Sequence, residues 1–366
     1  MKSFSFFLAL LAVTHTVFAY EEEDVSISNS IIKPLSPKIQ CGQTNYCPAY
    51  SAPADVKVKC GWNVEVDMGF IYWYAGQDDM DVASATVTNS ATTSTTSIAF
   101  QEFEYKPGFQ ISLGCDIDRD NWVFNAEYTW IRNHVWTQYT PPTDGTWSTN
   151  NWFTSFGLIS GIHQLSSKWT LNVDLIDATL SRPYFEGKKL TFSPILGLRA
   201  FWMRQRFSIK ALDGTSNAQQ IQDGKSINVS QSWALGPRLG FDGFWILGDA
   251  FRIEGNLAGS VLYNRYFRLS QKDSIEFTDH TLSKNQAKSK DQSQLTPILD
   301  AGMGFGWGTH LSCCRYYIDL SARYDYMYLW SQNKMRDWIG GAVHGFDDGT
   351  GDLWIHGLTV QARFDF

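Results

Sequence analysis

The chain has 366 residues, with 30 Lys and Arg against 37 Asp and Glu and a formal charge of −7. That balance argues against a nucleic-acid partner, which asks for a basic face. After the first 19 residues, no stretch holds the roughly eighteen consecutive apolar residues of a spanning helix, yet 15% of the chain is aromatic and 29 residues are Gly.

The predicted elements begin with MKSFSFFLALLAVTHTVFAYEEED at 1–24. Lys2 gives a positive start, Phe4 to Val13 an apolar run too short to span, and Val17 and Ala19 the positions before a cleavage site. This reads as a secretory signal peptide over 1–19, carrying the chain through the inner membrane. Residues 20–60 hold EEED, the two prolines of KPLSPK, Cys41, Cys47 and Cys60. They read as a periplasmic segment without a core of its own, and a single domain is expected over 61–366.

Period-two alternation then starts and recurs ten times. At 63–76, Val64, Val66, Met68, Phe70, Tyr72 and Tyr74 oppose Glu65, Asp67 and Gly69. At 103–116, Tyr105, Phe109, Ile111 and Leu113 oppose Lys106, Gly108, Gln110 and Ser112; at 121–132, Trp122, Phe124, Ala126, Tyr128 and Trp130 oppose Asn125, Glu127 and Thr129. Trp169, Leu171, Val173 and Leu175 oppose Asn172 and Asp174, with an apparent slip of parity near Ile176 that a β-bulge would explain. Similar alternation marks 189–207, 230–242, 250–265, 294–308 and 315–330. It ends in LTVQARFDF at 358–366, where Leu358, Val360, Ala362, Phe364 and Phe366 share one parity.

Connections alternate between short (118–120, 184–188, 243–249, 309–313) and long (77–102, 133–166, 208–229, 267–293, 331–352). Short turns on one side and long loops on the other are the arrangement of an outer-membrane barrel, and a soluble sandwich has no reason for it. Aromatic residues fall near both rims: Tyr72, Tyr74, Trp130, Trp233, Tyr263, Tyr326, Tyr328, Trp330 and Trp354 by the long loops, and Trp122, Trp169, Phe241, Phe251, Trp307, Tyr316 and Phe366 by the short turns. The expected fold is all-β, a transmembrane antiparallel outer-membrane β-barrel of ten strands with long external loops. In NNWFTSFGLISGIHQL at 150–165 an apolar residue recurs every three positions, which favours a short helix or lid; two short strands there would make twelve.

YKPGFQISLGCDIDRDNWVFNAEYTW (105–130), KWTLNVDLIDATLSRPYFEGKKLTFSPILGLRAFW (168–202) and the terminal LTVQARFDF resemble the major outer membrane protein family of Legionella and Chlamydia-related bacteria. The resemblance covers about 60–366 and implies a porin-like barrel in the bacterial outer membrane with a role in attachment to host cells. The terminal aromatic strand, Phe364 and Phe366, resembles the signal read by the barrel-assembly machinery. The cysteines look like those of the Chlamydia-related branch, whose envelopes are thought to be cross-linked.

The inward parity supplies candidate pore-lining residues: the acids Glu65, Asp67, Glu127, Asp174, Asp242, Glu254, Asp300, Asp319, Asp325 and Asp365, and the bases Lys106, Arg199, Arg238, Arg252, Arg323 and Arg363. An acidic excess points to mild cation preference in a narrow or gated pore; pairing of these charges into a filled barrel is the competing outcome. Cys41, Cys47, Cys60, Cys115, Cys313 and Cys314 all fall on the short-turn side, where disulfides persist. They are candidates for tethering the N-terminal segment, or for cross-links to a second copy or to Cys-rich periplasmic proteins. Their spacing does not fit zinc, and no cofactor is expected. His134, His280, His344 and Asp279 lie in long loops without a matching nucleophile, so no enzyme is expected. G-x-G-x-G at 302–306 opens no helix and reads as inward glycines rather than a nucleotide site. Besides outer-membrane lipid, the long loops leave a host-cell receptor as a partner class.

Overall fold

Ten antiparallel strands close into a ring in the computed structural model, which describes Val58 and residues 64–366 apart from 91–92, 118–120, 144, 150–151, 154–157, 187–188, 249, 290, 313–314 and 344–350. The expected signal peptide and, Val58 aside, the expected periplasmic segment lie outside the described residues. The ring strands are β1 (Val64–Gln77), β2 (Tyr105–Ile117), β3 (Trp122–Tyr139), β4 (Gln164–Ser181), β5 (Leu190–Ser216), β6 (Gln219–Gly248), β7 (Phe251–Phe277), β8 (Gln292–Leu311), β9 (Tyr316–Leu329) and β10 (Leu353–Asp365). Each pairs with its neighbour in sequence, and β10 returns to β1. The seam is sealed where the Phe366 N–H donates to the Val64 carbonyl at 3.0 Å.

Alternation sets which side chains face out. On β8, Met303 and Phe305 are 69% and 66% exposed, and Leu295 is 67% exposed. On β6 Leu239 and on β1 Met68 behave alike. A continuous band of such side chains around a closed sheet is a lipid surface, far larger than the apolar patches soluble proteins tolerate. The opposite parity of β8 carries Asp300 and the inward glycines Gly302, Gly304, Gly306 and Gly308.

Strand β4 corrects the sequence reading. Trp169, Leu171, Val173 and Leu175 are buried inside the ring, while Asn172 and Asp174 lie on the outer face. No bulge sits near Ile176: the pairing of β4 with β3 and β5 runs without a shift. The cause is a change of solvent along the strand. Inside the membrane band the outward residues are Ile176, Ala178 and Leu180. Beyond it, water lies outside and a dry core inside, so the outward residues become Lys168, Thr170, Asn172 and Asp174. For the same reason Trp169 belongs to the long-hairpin end, its ring edge-on to Phe103 at 5.0 Å, not to the short-turn rim. Register shifts fall instead in the β6–β7 pairing: at Phe267 on β7, between the pairs Gln231–Arg268 and Ser232–Tyr266, and at Gln222 and Leu247 on β6.

The expected long loops are mostly sheet. β5 and β6 run on to a turn at Asn217–Ala218, and β7 extends to Phe277 and pairs with a strand at Leu282–Ser289. The Ser/Thr-rich stretch forms a hairpin of Asp81–Ser90 with Thr93–Phe100. Where a helix or lid is expected at 150–165, the described residues add only the short strands Trp147–Thr149 and Ile159–Ile162, off the ring. The last connection carries the helix α1 (Lys334–Val343), capped by Asn333, whose Oδ1 accepts from the Arg336 N–H at 3.3 Å.

These segments fold over the ring and complete a core. Trp152, Phe153, Ile159 and Ile162 are fully buried among Phe207, Leu165, Leu171 and Ile209, with Met80, Val82 and Met335 against them. Each such side chain stabilises the packed state by about 1.5–3 kcal/mol. Polar ties fix the cap: the Trp152 indole N–H donates to the Asp81 carbonyl at 2.6 Å, and Ser226 and Gln271 donate to the Trp152 carbonyl at 2.7 Å each.

Close packing along β8 leads to a test. A Cβ on Gly304 would meet the Ala322 carbonyl and lie 2.6 Å from the Arg323 Cα, whereas one on Gly259 meets nothing within 4 Å. Gly304→Val is expected to abolish most refolding into the heat-modifiable barrel on gels, and Gly259→Val to leave it intact.

Candidate functional site

Below the apolar core the same lumen becomes polar. A cavity of about 430 Å³ is lined by residues from all ten strands, and its wall reaches Val64, Val123, Ser181 and Tyr317 at the short-turn end. Its lining holds eleven carboxylates against five arginines, a formal −6. Fourteen of the sixteen expected pore-lining residues stand on this wall: Glu65, Asp67, Glu127, Arg199, Arg238, Asp242, Arg252, Glu254, Asp300, Asp319, Arg323, Asp325, Arg363 and Asp365. Two do not. Asp174 is on the outer face, held by Arg132 at 2.8 Å and by the Tyr128 hydroxyl at 2.7 Å. Lys106 has inward parity but sits at the upper end of β2, paired with Glu104 at 2.6 Å.

The arginines form three storeys. The uppermost marks the border with the apolar core. Arg199 on β5 makes a two-pronged contact with Asp177 on β4, both bonds 2.7 Å, and reaches Asp300 on β8 at 2.7 and 2.9 Å. Arg238 on β6 also binds Asp300. Because β5 and β8 are three places apart in the ring, Arg199 bridges the lumen. In the middle storey Arg323 lies 3.9 Å from Glu254 and 3.8 Å from Asp325. In the lowest, Arg252 binds Glu254 at 2.8 Å and also Asp319, and Arg363 joins Glu65 at 2.5 Å to Asp365 at 2.7 Å. The glycine row makes room for these groups: a Cβ on Gly306 would lie 2.7 Å from the Arg252 guanidinium carbon. Gln110 Oε1, Asn256 Oδ1 and Arg323 Nε make no hydrogen bond among the described residues and belong to chamber-lining residues.

Asp116 on β2 is a lumen acid that the sequence reading misses, and so is Asp177 on β4. For Asp177 the signal was its odd parity, shared with Trp169 through Leu175. Of the six cysteines, Cys115 is exposed on the outward face of β2 and forms no disulfide among the described residues, and the other five lie outside them. His134 lies on the outer face of β3 and His280 at the tip beyond β7, 3.7 Å from Glu276; His344 is outside the described residues.

A family model described as the Legionella pneumophila major outer membrane protein precursor matches residues 57–366. The chain belongs to that family. As an outer-membrane protein of this family, it turns its short-turn end to the periplasm and its long hairpins outward. No curated protein matches it in sequence. Among solved structures it is similar to the outer membrane protease OmpT from Escherichia coli, at 10% identity over 83% of this chain and 97% of that one, with a TM-score of 0.37. It is also similar to the toluene transporter TodX from Pseudomonas putida, at 11% identity over 83% and 89%, with a TM-score of 0.21. A FadL homologue from Pseudomonas aeruginosa aligns at 8% identity over 83% and 90%, with a TM-score of 0.22. The barrel is established by its own strand pairing.

Removing the bridging cation strands the buried Asp177 and leaves the buried Asp300 with Arg238 alone. Arg199→Ala is expected to lower unfolding stability in urea by about 3–5 kcal/mol. Lys106→Ala, whose partner is exposed, should cost less than about 1 kcal/mol.

Proposed function

We propose that the protein is a porin-like outer-membrane channel for ions and small hydrophilic solutes, gated at its outer end. One observation carries this reading: within a single lumen, a charged chamber that runs to the periplasmic rim gives way to a dry cap above the Arg199–Asp300 bridge. The polar wall lowers the cost of bringing a hydrated solute through the membrane, and the acidic excess favours cations. The cap is built largely from segments outside the ring, so it can move without breaking the barrel.

A surface role is the second reading, and the length of the hairpins favours it. Beyond Trp202 and Trp233, β5 and β6 continue for roughly 40 Å of strand, far more than a turn requires. Such a platform suits contact with a host-cell receptor. We further propose that the chain is secreted by its signal peptide, inserted by the assembly machinery through the strand ending in Phe366, and cross-linked through its cysteines. The reading involves no catalytic step.

Conductance across planar bilayers tests the gated channel. The wild-type protein is expected to give small, brief, cation-selective openings. Trp152→Ala with Phe153→Ala, which loosens the cap, should raise the open fraction by about ten-fold or more, since each lost ring costs the closed state about 3 kcal/mol. A silent bilayer with both proteins would overturn the channel reading in favour of the surface role.

A further inference from the structure

The outward face of β3 to β7 changes character one step beyond its upper aromatic girdle. Trp202 on β5 stands in register with Trp233 on β6, whose ring packs 6.2 Å from that of Tyr263 on β7. Among the outward positions that follow are Arg204 and Arg206 on β5 and, past Arg265 and Phe267, Arg268 on β7, then Lys168, Lys225 and Lys272, all exposed. Register gathers the arginines into one panel: Arg204 faces Gln231 on β6, and Gln231 faces Arg268. Arg204 and Arg206 are thus about 7 Å apart along one strand, and Arg268 stands about 10 Å across.

The neighbouring acids are already engaged. Asp174 is held by Arg132, Asp223 by Lys210 at 3.2 Å, and Asp291 by Arg265 at 2.7 Å. Among the described residues no ion pair engages Arg204, Arg206 or Arg268. The opposite wall is different in kind. At the same height β1, β2, β9 and β10 present Tyr74, Tyr105, Tyr326, Trp354 and His356, whose rings pack on one another. A chain of net charge −7 therefore concentrates unpaired cations on one side of its outer rim.

We infer that this panel binds the phosphate groups of phosphorylated lipid in the outer leaflet. Height decides for lipid over a soluble polyanion. The arginines begin where the apolar band and its tryptophans end, the level at which lipid phosphates are held and locally concentrated. Chemistry decides for phosphate: three guanidinium groups converging on a site open to solvent on one side suit a multiply charged oxyanion that each can grip with paired N–H donors.

Native mass spectrometry of the full refolded chain in neutral detergent tests this, with diphosphorylated lipid A and its dephosphorylated form as probes. The wild-type protein is expected to retain the phosphorylated lipid at least about ten-fold better than the dephosphorylated one. Arg204→Gln/Arg206→Gln/Arg268→Gln should lose about that factor, and Lys284→Gln/Lys288→Gln, on the outlying strand, should stay within about two-fold of wild type. Heat-modifiable mobility checks that the barrel is closed; should the triple variant not fold, the two-lipid comparison on the wild type still decides. Equal retention of the two lipids, or undiminished binding by the folded triple variant, overturns the inference. So does loss of heparin retention in the triple variant with lipid A binding unchanged, which would assign the panel to a soluble polyanion.

Discussion

The structure depends on one constraint: a sheet whose outer face meets hydrocarbon can leave no backbone N–H or C=O without a partner. An open edge would strand a row of them in lipid, so the tenth strand must return to the first. The seam between Val64 and Phe366 is therefore as necessary as any pairing within the wall. With the ring closed, each strand has only two sides, and period-two alternation assigns one to lipid and the other to the lumen.

What the lumen side holds varies with height. Near the periplasm it is charged and its arginines are matched to carboxylates across strands; farther out it is a packed apolar core. The two regions meet at Arg199, which is fixed by strands on both sides of the barrel. Buried pairs of this sort are poor stabilisers compared with apolar packing. Their persistence inside an otherwise ordinary barrel is what gives the chamber its chemical character.

Much of this could be read from residues alone. The ten ring strands, their order and the sorting of short and long connections follow from alternation and turn residues. The glycine row of β8 opposite Met303 and Phe305 was equally plain. What alternation does not say is which parity is outside, and β4 shows the cost. Its apolar residues face in because they lie above the membrane, so Asp174 moved to the surface and Asp177 went unnoticed. Likewise, β5–β6 beyond Trp202 carries Arg204, Arg206, Ser208 and Lys210 on its wet side, a composition that resembles loop even though these four residues are all laddered. The helix α1 is short, and its signal is a cap at Asn333 rather than a long periodic run.

The inward glycines of β8 have a consequence for how the sequence can drift. They are the mould in which the guanidinium groups are cast: Gly306 is empty because Arg252 fills the space, and Gly302 because Asn256 and Asp325 do. Mutation at one of these sites would evict a neighbour from across the wall rather than merely enlarge a residue. The strand with the least side-chain chemistry is thus the one whose identity the whole electrical lining most tightly dictates.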